Sequence, residues 1–231
     1  MKALFRNLVW EAALSVLHEN PQYPVTNIRH EFMKVAFRST ANGDTISIDF
    51  AADRVVSDVY LAFTNATAAH VWLFDASDDL LYDAEIPMDT LALSFAAVSG
   101  VRSAMIVMTS ATLLYVGSVG IGAAEDLPDP NNSWSPGFID NSLQSASSDG
   151  QVLTNKIPAL AQYQFDFVVD SYAEFLRVRA LVLDIERPIF IDMFDGRRDL
   201  IPALYGLMAM SNQPRREGSV CRFTLTITEA R

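Results

Sequence analysis

Ile46-Ser47-Ile48-Asp49-Phe50 alternates strictly, apolar on one side and polar on the other, and the turn signal Asn42-Gly43-Asp44 stands directly before it. A period of two marks a strand with one buried face, because successive side chains point to opposite sides of a sheet. Asn and Gly tolerate the positive φ that a tight turn needs. Apolar or alternating runs then recur at 55–65, 69–74, 80–86, 90–96, 104–108 and 113–119, with a polar turn at 75–79. Strands at this spacing, with no long amphipathic helix between them, predict an antiparallel sandwich or barrel rather than an α/β fold. Residues 10–18 are read as extended.

Residues 123–150 differ. Pro128 and Pro130 lack the N–H that a strand interior needs, and 142–150 is rich in Ser before Asp149-Gly150. A polar arm or linker is therefore expected over 123–150, between a domain at 1–122 and another at 151–231. Trp134, Pro136 and Phe138 are unusual linker residues: they either anchor a neighbouring molecule or pin the arm to its own domain. Beyond the arm, 162–169 alternates Tyr163, Phe165 and Phe167 on one face. Ser171-Tyr172-Ala173-Glu174 has capping-box spacing, and Phe175, Leu176 and Val182 follow as a helical apolar face. Strands are expected at 187–194, 202–210 and 219–229. The predicted fold class is mainly β: an N-terminal jelly-roll β-sandwich followed by a smaller antiparallel α+β domain of order β-α-β-β-β.

Half of the 231 residues are hydrophobic (50%) and only 19% are charged. That surplus of apolar residues predicts buried contacts with other subunits, as in obligate assemblies. The net charge of −11, from 17 basic and 28 acidic residues with no basic run, argues against nucleic acid and anionic membranes as partners. Residues 103–124 are uncharged and span-length, but Ser, Thr and Gly break them into two buried strands, so no membrane insertion is expected. Lys2 and Arg6 imitate a signal peptide, yet Glu11 interrupts the apolar stretch that follows. Cys221 is the only cysteine, which excludes an intrachain disulfide and a cysteine zinc site; it reads as a small buried hydrophobe.

Catalytic patterns are missing. His18, His30 and His70 have no metal-ligand spacing. Asp75, Asp78, Asp79 and Asp83 gather about one turn, but the calcium-loop pattern with its terminal Glu is missing, so a solvated acidic turn is expected. No Ser stands in a nucleophile elbow. Gly117, Gly120 and Gly122 lead into a proline arm and not into a helix, which removes a dinucleotide site. Asp192 and Asp195 beside Arg197-Arg198 read as a solvated hairpin tip; a hydrolase would need them as its acids. No catalytic residue, cofactor or metal is assigned.

Taken in order, Asn7-Leu8-Val9-Trp10, Glu19-Asn20-Pro21-Gln22-Tyr23-Pro24-Val25-Thr26-Asn27-Ile28, Phe37-Arg38-Ser39-Thr40 and Ile46–Phe50 resemble the opening of discoidin-like, galactose-binding-type β-sandwich domains. Pro21 and Pro24 would fix an extended loop, Tyr23 and Ile28 would plug the sandwich end, and Arg38 would bond backbone carbonyls or an Asp. The disulfide clamp of the family's eukaryotic members is absent. Sugar binding varies within that family, so no ligand residue is carried over. The whole chain, ending Thr226-Ile227-Thr228-Glu229-Ala230-Arg231 and carrying Pro202-Ala203-Leu204-Tyr205-Gly206, is similar in style to minor tail or baseplate proteins of long-tailed bacteriophages.

These resemblances imply a non-enzymatic component of a phage tail tip or baseplate. Such a protein is made in the bacterial host cytoplasm, resides in the virion tail, and assembles as a homo-oligomer with other tail proteins. The alternative is a carbohydrate-binding module that attaches a particle to a surface glycan. Trp134, Phe138, Trp72 and Tyr82 are the candidate interface or glycan contacts.

Overall fold

The computed structural model describes residues 1–30, 35–130, 134–140, 143–146, 152–155, 159–193, 203–210, 215–218 and 220–230. They fall into two compact units, Met1–Leu127 with Ile189–Tyr205, and Pro128–Pro188 with Gly206–Arg231. The chain is mainly β, a β-sandwich plus a smaller β-rich unit with one helix.

In the first unit the strands are β1 (Lys2–Leu4), β2 (Ala13–Ser15), β3 (Phe37–Arg38), β4 (Gly43–Thr64), β5 (Ala68–Phe74), β6 (Leu80–Ile86), β7 (Ala92–Thr109), β8 (Tyr115–Gly122) and β9 (Glu125–Asp126). One antiparallel sheet runs β3-β8-β4-β7-β5-β6, and β2 pairs with β4. The sandwich arises because β4 and β7 are long enough to serve two layers. Their first pairing, Gly43↔Thr109 to Asp49↔Ser103, is regular; register shifts follow at Asp49/Arg54, Arg54/Val56 and Val56/Asp58. Beyond those shifts β4 takes β8 as its second partner, from Asp58↔Gly122 to Thr64↔Val116.

The sequence pattern divides each of these long strands in two, at 46–50 and 55–65 and at 90–96 and 104–108. The structure keeps both continuous. Ala51, Ala52 and Asp53 break the alternation because they are exposed on a bend, where β-bulges turn a sheet without ending it. Ile46, Ile48 and Phe50 from one end of β4 meet Val59 and Leu61 from the other in a single cluster. Val71, Leu73, Ile106, Val116 and Ile121 complete it.

Residues Val116 to Gly122 of β8 are all buried, so both of its faces need cover. The second cover comes from β14 (Ile189–Asp192), which pairs antiparallel with β1; β1 pairs in turn with β9. Phe190 stacks on Tyr60 with ring centroids 5.4 Å apart and an interplanar angle of 13°. Gly120 makes that approach possible, because a Cβ there would stand 2.5 Å from Phe190 Cδ2. The expected strand at 187–194 therefore forms, as Ile189–Asp192, and groups with the first unit. Its four residues are all buried, which a strand exposed on one face does not achieve.

The opening motifs are braces. Asn7 Nδ2 donates to the Val119 carbonyl at 2.8 Å, and its Oδ1 accepts from the N–H groups of Val9 and Ile121, both at 3.1 Å. Glu19 accepts the N–H of Val25 at 2.7 Å, and Val25 and Ile28 are buried as plugs. Tyr23 stays partly exposed, with the Arg38 guanidinium 4.2 Å over its ring. That cation–π contact stands where a carbonyl or Asp partner was expected.

In the second unit β10 (Trp134–Ile139) pairs β13 (Leu160–Val169), which pairs β17 (Val220–Glu229). β15 (Leu204–Met210), from Gly206 onward, and β16 (Arg215–Glu217) also pair β17. β11 (Leu143–Ala146) and β12 (Val152–Asn155) form a separate hairpin. Part of the expected arm is thus strand. Pro136 is accommodated in β10 because β13 is its one neighbour among the described strands, and an edge strand needs only half of its N–H groups.

The helix α1 (Tyr172–Leu183) starts where the capping spacing places it: Ser171 Oγ accepts the Glu174 N–H at 3.1 Å. The Glu174 carboxylate pairs with Arg177 at 2.8 Å. Phe175, Val178 and Val182 face inward, while Leu176 is 41% exposed. Phe175 reaches the sheet, its ring 5.5 Å from that of Phe223, which stacks on Phe167 at 5.2 Å.

Candidate functional site

β5 alternates Ala69, Val71 and Leu73 into the core with His70, Trp72 and Phe74 outward. β6 lies beside it in the register His70↔Glu85, Val71↔Ala84 and Trp72↔Asp83. On its other side β7 places Met105 opposite Trp72 and Val107 opposite His70. Strand pairing alone therefore gathers an indole, an imidazole, two carboxylates and two apolar side chains on one outer face.

Their contacts are specific. The Trp72 indole N–H donates to Asp83 Oδ1 at 3.1 Å, and His70 Nε2 pairs with the same oxygen. The His70 and Trp72 rings lie 5.3 Å apart at 48°. The side chains of His70 and Asp83 are 32% and 50% exposed, so the cluster is open to solvent. An ionised carboxylate accepts about four hydrogen bonds, and two on one oxygen leave Asp83 with acceptor capacity to spare. Beside this cluster a hollow of about 480 Å³ is lined by His70, Glu85, Pro87, Met88 and Val107, with Thr67 and Thr109 at its side. Glu85 has no hydrogen-bond or ion-pair partner among the described residues.

The four candidate contact residues occupy different settings. Trp72 belongs to the cluster just described. Tyr82 points the other way: it packs against the core and stacks on Phe95 with centroids 4.0 Å apart, and burial raises its pKa. Phe138 is 77% exposed on β10. Trp134 begins β10 opposite Phe165. The sequence reading did not single out His70, Asp83 and Glu85 as partners of Trp72, although the i, i+2 spacing of His70 with Trp72 and of Asp83 with Glu85 was available.

The other acids have local tasks. Asp75 accepts the N–H groups of Ser77 and Asp79 at 2.7 and 3.0 Å, closing the turn in which Asp78 takes φ of 64°. Among the described residues no three His, Cys, Asp or Glu side chains are grouped to hold a metal ion. Asp192 is fully buried in β14 opposite Lys2, not at a solvated hairpin tip, while Asp195, Arg197 and Arg198 lie outside the described residues. Among the described residues no helix is long and apolar enough to cross a membrane.

The class that fold and site define is a β-sandwich with a half-open aromatic and acidic patch on one sheet face. No protein-family model matches the chain, and no curated protein matches it. Solved structures with partial similarity include chitosan-binding module 1 of a chitosanase/glucanase from Paenibacillus sp. IK-5. It is 11% identical at a TM-score of 0.43, covering 51% of this chain and 99% of that one. A fucose-binding module of Streptococcus pneumoniae is 11% identical at 0.43, over 52% and 99%. The family 32 carbohydrate-binding module of Clostridium perfringens NanJ, solved with galactose, is 13% identical at 0.43, over 54% and 98%.

Proposed function

We propose that the first unit is a non-catalytic carbohydrate-binding module whose contact surface is the outer face of β5, β6 and β7. The observation that carries this reading is the Trp72–Asp83–His70 cluster, whose His70 also lines the hollow. A sugar ring presents C–H groups on one side and hydroxyls at its edge. The C–H side suits the negative face of an indole, and the hydroxyls suit a carboxylate with unused lone pairs. Asp83 fixes the indole through its N–H, so little side-chain entropy is lost on binding. A glycan array probed with the intact protein, followed by titration of any ligand against Trp72→Ala, tests the reading. Binding that weakens at least tenfold in the variant supports it, about 1.4 kcal/mol; an array without a single ligand ends it.

A second reading is an assembly role, such as a component of a phage tail or baseplate that forms homo-oligomers. Phe138, 77% exposed on an edge strand, favours it, because such a strand offers both backbone donors and an aromatic anchor to another chain. Sedimentation at rising concentration tests this reading; a strict monomer that also fails to enter any particle removes it.

A further inference from the structure

We infer that the sandwich unit docks head to tail on a second copy of this chain, the apolar rim at one end meeting the acidic turn at the other. The inference deepens the assembly reading at surfaces separate from Phe138 and is independent of the carbohydrate reading. β5 runs from Ala68, opposite Thr109, to Phe74, opposite Ser103, a length of about 20 Å. The carbonyls of Asn42 and Asn65 both accept from Ser110, so the Asn42 turn, the loop after β4 and the β7–β8 loop share the Thr109 end. The turn at 75–79 follows Phe74 and stands at the Ser103 end.

The rim at the Thr109 end is held so that its apolar side chains stay exposed. They are Leu17, whose N–H bonds Asp44, with Phe63, Leu113 and Tyr115. Asn65 fixes the loop: its Nδ2 donates to Thr112 Oγ1 and the Leu113 carbonyl at 2.9 and 3.0 Å, and its Oδ1 accepts the Tyr115 N–H at 2.9 Å. Phe63 takes φ of 50°, a conformation rare for a bulky residue. Gly117 gives it room, since a Cβ there would stand 2.8 Å from Phe63 Cβ. Strained positions of this kind concentrate where a surface has a task, and rigid aromatic anchors lose little entropy on docking. Arg38 lies opposite Tyr115 across β3 and β8, is seated on the Tyr23 ring, and has no carboxylate partner among the described residues.

The other end has the complementary chemistry. Asp75, Asp78 and Asp79 make up the turn, and exposed Leu80 and Leu81 follow it. The sequence holds no Lys or Arg between Arg54 and Arg102, and Arg102 lies 3.8 Å from Asp53. A lone cation among apolar side chains on one copy therefore finds uncompensated acids beside apolar side chains on the next. Because the two patches differ, the contact is heterologous and propagates into a ring or a filament rather than closing as a two-fold dimer.

Sedimentation of the intact protein at rising concentration tests this with variants at exposed sites, where folding is little affected. Leu113→Glu blocks the rim and Leu80→Glu blocks the acidic end. The wild type is expected to form species larger than a dimer, each variant alone to stay monomeric, and their equimolar mixture to stop at a dimer. In that mixture one intact rim meets one intact acidic end, which only a head-to-tail contact allows. Arg38→Glu should weaken association by about tenfold or more through like-charge repulsion, and mixing it with Asp79→Arg should restore it. Oligomers that survive both blocking variants, or a mixture that stays monomeric, overturn the inference while the assembly reading stands. A wild type that never self-associates also overturns it, and the assembly reading falls with it only if the protein enters no particle.

Discussion

Phe190→Ala is the sharpest probe of how the first unit is completed. The ring is 1% exposed and wedged between Tyr60 at 5.4 Å and Tyr205 at 4.8 Å. It sits over Gly120, a position with no side chain to move into the space the ring would vacate. Buried Phe→Ala replacements cost about 3–5 kcal/mol, and the cost is highest where the surroundings cannot collapse. Tyr60 is held in a ladder on both sides, by β7 and by β8, so collapse is restricted and the upper half of that range is expected. For a chain of this size the loss corresponds to a fall of about 8–20 °C in Tm. Because two units need not unfold together, a single melting curve is ambiguous. Hydrogen exchange resolves them: amides of β4 and β8 should lose protection, whereas β13 and β17 should not. Phe223→Ala, in the second unit, should give the reverse pattern. A loss below about 1 kcal/mol, or one confined to β13 and β17, would mean that β14 does not cover β8.

Asn7→Ala removes two hydrogen bonds that tie the opening loop to β8 and a third that caps the loop's own turn, and strands the buried N–H of Ile121 and the carbonyl of Val119, so urea denaturation should show a loss of about 2–4 kcal/mol. Ser171→Ala takes away the acceptor for the Glu174 N–H and should destabilise the second unit by about 1 kcal/mol, read from the exchange of helix amides. Glu174 has a pKa lowered from its ordinary 4.5, chiefly by the Arg177 hydrogen bond and against a smaller opposing effect of burial. A depressed folded pKa contributes stability above the unfolded value that is lost as pH falls through the folded one. The helix should therefore hold its full stability above about pH 4.5 and lose a small part below it; Glu174→Gln should flatten that slope.

Local chemistry made much of the architecture legible. The period-two runs, the Asn-Gly turn and the Ser171 cap each depend on near neighbours in the chain, so Ile46–Phe50, β5, β13 and the start of α1 fall where the residues place them, while β8 starts two residues later than expected and runs on to Gly122. The tertiary structure alone decided the partners. Ala51–Asp53 looks like a break and is a bend, because pairing with β7 on both sides of it outweighs a lapse in alternation. Residues Ile189–Asp192 look like one more strand of the small sheet. The structure also lays Phe190 over β8, where Gly120 leaves room for its ring. Trp72 was visible as an exposed aromatic, but the company of His70, Asp83 and Glu85 was set by the β5–β6 register, a long-range choice that shifts every side chain if it slips by one residue.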